Sequence, residues 1–262
     1  MVGLEGKVIA IIGASSGIGE GIAKTVASQN PKGLIIGARR EEFLNNLATQ
    51  LRDQHDTDVF VLPTNATDQG QLKSFVDKSI KKYGKIDILI YSAGIIQKEM
   101  PAHQVTPEER RRIMEINYHA PAALSALILP HFYENKSGTY IVLSSQAGQP
   151  DKAFPGEGAY GASKSAIDQD LRSIDREIHA RREEGSEIYV FALAPGLINT
   201  EEAKMQLPNI PKEVWEKAPS PKKFASEFVI PYLTNPSDMY KKGKILELPF
   251  RDTTHFIDTA RG

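Results

Sequence analysis

The sequence predicts an α/β fold, a single doubly wound parallel sheet with helices on both faces. Three observations predict it. Short apolar runs alternate with amphipathic stretches along the chain. Several of those runs are apolar throughout, as strands buried on both faces are. The first of them leads directly through a glycine-rich turn into a helix, the opening of a βαβ unit. No linker divides the 262 residues, so one domain over 1–262 is expected.

Val8–Ile12 (VIAII) is a β-branched run and the first strand. Gly13, Gly17 and Gly19 follow, and Ile18, Ile22, Ala23 and Val26 then fall at helical spacing. Gly33–Ala38 is the second strand. Residues 41–52 form a helix with Phe43, Leu44, Leu47, Ala48 and Leu51 on its buried face. The third strand is 59–62. Asp68 caps a helix whose stripe is Leu72, Phe75, Val76, Ile80 and Tyr83, and 87–91 is the fourth strand. Thr106 caps a helix with Pro107 at its first position, and apolar spacing continues from Ile116 to Phe132. The fifth strand is 140–143. A long helix begins near Ala159, with Ile167, Leu171, Ile174 and Ile178 on one face. Strands at 188–193 and 245–248 complete the sheet. The charge-rich 175–184 stretch reads as a solvated helix end.

Composition narrows the functional classes. A formal net charge of −1 gives no reason to expect a nucleic-acid or anionic-membrane partner. The absence of cysteine excludes disulfides, thiolate metal sites and a cysteine nucleophile. The six histidines lack metal-ligand spacing, so no metal is expected. Neither a signal-peptide pattern nor an apolar run of membrane length is seen, which points to a cytoplasmic protein.

The turn 13–19 admits three readings. Glycines bring backbone close to a ligand, and the unpaired N–H groups and dipole of the following helix attract phosphate. GASSG also matches the GxSxG elbow of hydrolases, with Ser15 as nucleophile. That elbow needs oxyanion donors from an earlier loop, and only a few residues precede this strand. A purely structural turn is the third. Arg39 and Arg40, at the end of the second strand, stand where a basic residue meets the 2′-phosphate of NADP, so NADP(H) is the expected cofactor.

Further landmarks appear in order: Tyr91-Ser92-Ala93-Gly94 after the fourth strand, Asn117, Ser144-Ser145, Tyr160-Gly-Ala-Ser-Lys164, and Pro195-Gly196 followed by Thr200. With the glycine loop, this set closely resembles the short-chain dehydrogenase/reductase family, of the NADP-dependent carbonyl reductase type, over nearly the whole chain. The resemblance implies a Rossmann-type fold. It implies cofactor contacts at Gly13, Ser15, Ser16, Gly17, Ile18 and Gly19, at Arg39 and Arg40, and at Asn65 and Ala66. Ser92, Ala93 and Gly94, then Tyr160 and Lys164, then Pro195, Gly196, Ile198 and Thr200 would complete them. Departures are Ile12 at the family's usual threonine, Asn65 at a frequent aspartate, Ser16 where some NADP members carry a basic residue, and a loop before Tyr160 longer by two residues. YxxxK by itself means little, since Tyr240 and Lys244 repeat it.

By the same resemblance Tyr160 protonates the carbonyl oxygen, Lys164 holds the nicotinamide ribose and tunes Tyr160, Asn117 keeps a water in the proton relay, and Ser145 rather than Ser144 polarises the substrate. Residue chemistry agrees independently. Tyr160 and Lys164, four apart on a helix, share a face. A nearby ammonium lowers a phenol pKa from its usual value of about 10, which makes a better acid–base group. Ser145 can stabilise charge on the substrate oxygen.

Residues 197–218, with Met205, Leu207, Ile210, Val214 and Trp215, correspond to the family's mobile substrate lid. Phe154, Pro155, Ile95 and Ile96 are further candidate walls of an apolar pocket. Family members pair through helices corresponding to 117–132 and 159–181, so a homodimer or homotetramer is expected. Phe250, His255, Phe256 and Ile257 of the tail 250–262 would pack on a partner or across the pocket. The expected activity is NADPH-dependent reduction of a small-molecule ketone or aldehyde to the alcohol. The alternatives are an alcohol or steroid dehydrogenase working oxidatively, and a non-catalytic NADP-binding regulator.

Overall fold

The computed structural model describes residues 3–181, 183–242 and 245–247. Seven parallel strands form one sheet: β1 Val8–Ile12, β2 Gly33–Ala38, β3 Val59–Pro63, β4 Ile88–Tyr91, β5 Ser137–Leu143, β6 Glu187–Ala194 and β7 Ile245–Glu247. Their order is β3-β2-β1-β4-β5-β6-β7, so the winding reverses between β1 and β4. Ligands of such sheets sit at the carboxyl ends of the strands beside that reversal. The register pairs Ile12 with Tyr91, which brings the turns after β1 and β4 together. Leu248, Lys244 and the tail 250–262 lie outside the described residues.

Period-2 alternation splits the core. From β1, Ile9 and Ile11 pack on one face with Ile22, Val26 and Phe224, while Val8, Ala10 and Ile12 face Leu72, Leu124 and Ile167 on the other. Each of these buried Val, Leu, Ile and Phe side chains stabilises the fold by roughly 1.5–3 kcal/mol. The helices that build the site are α1 Gly17–Ala27, α2 Glu41–His55, α3 Gln69–Tyr83, α4 Pro107–Met114, α5 Ala120–Asn135 and α6 Gly158–Ala180. Asp68 and Thr106 cap α3 and α4 through the backbone N–H groups of Gln71 and Glu109.

Three expectations need correction. Phe43 is 50% exposed, because Arg40 stacks on its ring at 4.5 Å and holds it outside the core. Asp175 is buried at 4% exposure, since α6 packs on the sheet as far as Ile178. The helix that runs past Asn117 is interrupted by a π turn, Glu115–His119. Pro121 has no N–H to close the bond to the Asn117 carbonyl, and its ring crowds that position, so the turn widens. The Tyr91 hydroxyl donates to the neighbouring Ile116 carbonyl at 2.6 Å.

No helix among the described residues is long and apolar enough to cross a membrane.

Candidate active site

The turn after β1 is shaped by backbone contact. Gly13 adopts φ +95°, and a Cβ there would collide with the backbone of Ala93. A Cβ on Gly19 would strike the Gly13 carbonyl. The Gly13 and Ala14 N–H groups both donate to the Gly37 carbonyl, at 2.7 and 3.2 Å. Ser16 occupies the N-cap of α1 without making a cap bond. The Arg40 guanidinium donates instead to the Ser16 Oγ at 2.7 Å and the Ser15 Oγ at 3.1 Å. An anchored cation therefore stands beside helix N–H groups that lack intrahelical partners. Arg39 is exposed on the same turn.

These residues fit a dinucleotide phosphate. Glycine backbone, a helix N-terminus and a forked guanidinium converge there, and the Ser92 Oγ is buried with no hydrogen-bond partner. Ser15 is engaged by Arg40, with the cation rather than a general base beside it. Asn65 and Ala66 follow β3. The Asn65 Oδ1 accepts from the Thr67 N–H at 3.3 Å and its hydroxyl at 3.1 Å, which leaves the amide nitrogen as the group free to meet a ligand.

The second half of the site joins β5 to α6. The Ser145 Oγ accepts from the Ala147 N–H at 3.2 Å, and Ser145 and Tyr160 border one cleft. The Ser144 Oγ is buried and interacts with Asp168 on α6. Lys164 is buried, donates to the Leu143 carbonyl at 2.8 Å, and has its Nζ 5.7 Å from the centre of the Tyr160 ring. The Asn117 side chain bonds both the N–H and the C=O of Ile95, at 3.0 Å each, and donates to the Ser163 Oγ.

Electrostatics differ from the expectation at Tyr160. Burial pushes its phenol well above the ordinary range, the Ser145 hydroxyl acts against that, and Glu157, Glu202 and Asp168 push it higher. Lys164 is not among the groups that shift it. Burial brings Lys164 itself down to about 8, although Asp168 and Glu202 hold its charge. Desolvation sets the direction of the phenol's shift.

A cleft of about 130 Å³ opens over these groups. Ile18, Ser145, Tyr160, Pro195, Gly196, Ile198 and Thr200 border it, together with Ile96, Phe154, Leu207 and Ile210. A Cβ on Gly17 would lie 3.6 Å from the Thr200 side chain, so the glycine loop and the segment after β6 meet. Of the other candidate walls, Ile95 packs in a separate cluster with Val105, Ile113 and Ala159. Pro155 is exposed, and Met205 is 69% exposed. Ala203, Leu207 and Trp215 form their own cluster with Ile96, Leu197 and Ile210. Glu157 and Gln146, which line the cleft, were not anticipated. Glu157 precedes Tyr160 by nearly one helical turn, and that spacing is the signal that finds it.

Among the described residues no group of histidine and carboxylate side chains could hold a metal ion.

Comparison with known proteins agrees with this geometry. The short chain dehydrogenase family model matches residues 7–210. An uncharacterized oxidoreductase of Listeria innocua is 36% identical over 198 residues, covering 76% of this chain and 77% of its own. The crystal structure of a 3-ketoacyl-(acyl-carrier-protein) reductase of Brucella melitensis with NADH is 26% identical, with TM-score 0.75, covering 89% of this chain and 92% of its own. An alcohol dehydrogenase of Thermococcus sibiricus with 5-hydroxy-NADP is 25% identical, with TM-score 0.77, covering 89% and 93%. The chain belongs to the short-chain dehydrogenase family.

Proposed function

We propose that this short-chain dehydrogenase is an NADPH-dependent reductase of ketones or aldehydes. One observation carries the reading. The Ser145 and Tyr160 hydroxyls border a mostly apolar cleft that also reaches Ile18, on the glycine loop that Arg40 contacts. A reduced nicotinamide bound along that loop would supply the hydride.

The chain's own residues do the remaining work. The Ser145 hydroxyl donates a hydrogen bond to the substrate oxygen as negative charge develops on it. Tyr160 delivers its proton to the same oxygen. Its raised pKa keeps the phenol protonated at neutral pH, the form that reduction requires. Lys164 orients the cofactor ribose, and Asn117 anchors the water path behind it. Gly13, Gly17, Gly19 and Arg40 would hold the phosphates, with Arg39 adding charge at the adenosine end. Ser92, Ala93, Gly94, Pro195, Gly196, Ile198 and Thr200 would meet the nicotinamide half.

Glu157 is the one carboxylate side chain lining the cleft among the described residues, and no ammonium or guanidinium lines it. A neutral carbonyl compound suits that lining better than an anionic one. Residues 197–218 act as the lid over the substrate. The partly buried Ala122, Ala123, Leu127 and Leu129 on α5 support pairing with a second copy, as homodimer or homotetramer.

The test is oxidation of NADPH and of NADH with a panel of neutral ketones, diketones and aldehydes. Turnover with NADPH preferred supports the reading. NADH preference overturns the assignment of Arg40. Tight NADPH binding without turnover would favour a regulatory role. The likeness to the Thermococcus alcohol dehydrogenase motivates the oxidative alternative, favoured if alcohols turn over faster than ketones near neutral pH.

A further inference from the structure

Gln97 lies between β4 and α4 and is almost wholly buried, at 1% exposure. It does not line the cleft. Its side chain directs its polar groups at the start of α6. The Oε1 accepts from the backbone N–H of Ala159 at 2.9 Å and of Tyr160 at 3.3 Å. The Nε2 donates to the Gly156 carbonyl at 2.5 Å. The first N–H groups of a helix have no acceptor within it. At α6 the N-cap residue, Glu157, supplies no side-chain cap bond. Gln97 fills that role from a different loop.

The other end of the Tyr160 backbone is held too. The Ser163 Oγ donates to the Tyr160 carbonyl at 2.7 Å, and the Asn117 Nδ2 donates to that same Oγ at 3.0 Å. Asn117 also fastens both peptide groups of Ile95, two residues ahead of Gln97. One asparagine thus anchors the segment that carries Gln97 and the turn that carries Tyr160. The approach to α6 needs such anchoring. Residues 151–157 contain no helix or strand, and Gly156 turns the chain at φ +81°.

We propose that Gln97 is a positioning residue for Tyr160. By capping α6 from outside, it fixes the main chain from which the phenol reaches Ser145. This rests on Tyr160 being the proton donor. A misplacement of about 1 Å at a reacting group can cost on the order of 100-fold in rate, and a first helical turn without its acceptor is free to shift or fray.

Three variants of the full-length protein test it. Gln97→Met keeps length and apolar bulk but removes all three bonds. Gln97→Glu keeps the two acceptor contacts and, protonated in this buried position, can donate to the Gly156 carbonyl in place of the amide. Thr57→Val removes a buried bond to the Ala27 carbonyl, 3.1 Å long, on another loop, and reports the effect of lost stability alone. Gln97→Met is expected to lower kcat roughly 30-fold with the KM for NADPH within about 3-fold, and Gln97→Glu to recover most of kcat. Thr57→Val is expected to lower Tm without lowering kcat. A second readout needs no turnover. The Ala159 and Tyr160 amides are expected to exchange slowly with solvent in wild type and Gln97→Glu, and at least ~10-fold faster in Gln97→Met. If Gln97→Met does not fold, the shorter Gln97→Asn takes its place in both measurements. The proposal is overturned if kcat of the capless variant stays within about 3-fold of wild type, if Gln97→Glu folds normally without recovering kcat, or if the two amides exchange alike in all variants. If wild type reduces no carbonyl, the proposed function fails, and amide exchange still decides whether Gln97 holds this turn.

Discussion

The turn after β1 and the segment before α6 both reach the cleft, and they are held in place differently. At the turn, the Gly13 and Ala14 N–H groups share one carbonyl of β2, the Ser92 N–H bonds the Ile12 carbonyl at 2.8 Å, and glycine takes positions where any Cβ would collide. Before α6, side chains do the holding: Gln97 on Gly156, Ala159 and Tyr160, Ser165 on the Gly148 carbonyl at 2.6 Å, and Gln149 on Asp168 at 2.8 Å. A wall made of backbone contacts keeps its shape as side chains change, which suits a constant cofactor. A wall tied by side chains can be re-cut by substitution, which suits a substrate pocket.

The contrast can be tested by damaging one wall at a time. Gly13→Val should do most harm, because it puts a β-branched side chain at φ +95° against Ala93. The strain alone costs roughly 1–3 kcal/mol, and the collision adds to it. Thermal unfolding and nucleotide titration should show a lowered Tm and no measurable NADPH binding. Retained binding would mean that this turn yields more than its contacts indicate.

Arg40→Asp comes next. It leaves the backbone turn intact and replaces the guanidinium on Ser15 and Ser16 with a carboxylate. The ratio of kcat/KM for NADPH over NADH should fall by about 100-fold, close to 3 kcal/mol, most of it in KM. An unchanged ratio would leave the choice of nucleotide to another residue, with exposed Arg39 the next to examine.

A smaller effect concerns pH. Burial brings the Lys164 ammonium down to about 8, so it is charged below that pH and neutral above it. Tyr160 is shifted upward and stays protonated across the same window. Reductive kcat/KM should therefore decline above about pH 8, a limb that belongs to Lys164. Lys164→Arg, charged throughout, should remove that limb even if it lowers the plateau. A limb that persists in the arginine variant would belong to another group.

The smallest change is expected at the side-chain wall. Glu157→Gln keeps size and removes the carboxylate from the cleft lining. Turnover of a keto acid relative to its neutral ester should improve by roughly 10-fold, the effect of one nearby charge in a partly desolvated site. Equal relative rates in both proteins would show that Glu157 does not face the substrate.

Much of this was legible in the sequence because periodicity and glycine spacing encode backbone. The strands and helices of the doubly wound sheet and the caps at Asp68 and Thr106 follow from local patterns. What escaped depends on tertiary partners. Phe43 fits a buried stripe, yet Arg40 offers its ring a surface perch. Asp175 looks solvated until α6 is laid on the sheet. Ile95 and Ile96 are adjacent apolar residues, yet one joins the cluster of Val105 and the other lines the cleft. Gln97 carries no motif at all. Its role exists only because residues 97 and 159–160, far apart in the chain, meet at one helix end.

The account's central claim is that Tyr160 gives the proton in a site whose nucleotide half stands without it. The direct measurement is the Tyr160→Phe variant, read by NADPH titration and by NADPH oxidation with a neutral diketone under saturating cofactor. The account predicts nucleotide affinity within about 3-fold of wild type and turnover reduced by at least ~1,000-fold. Turnover that survives in the phenylalanine variant would contradict it.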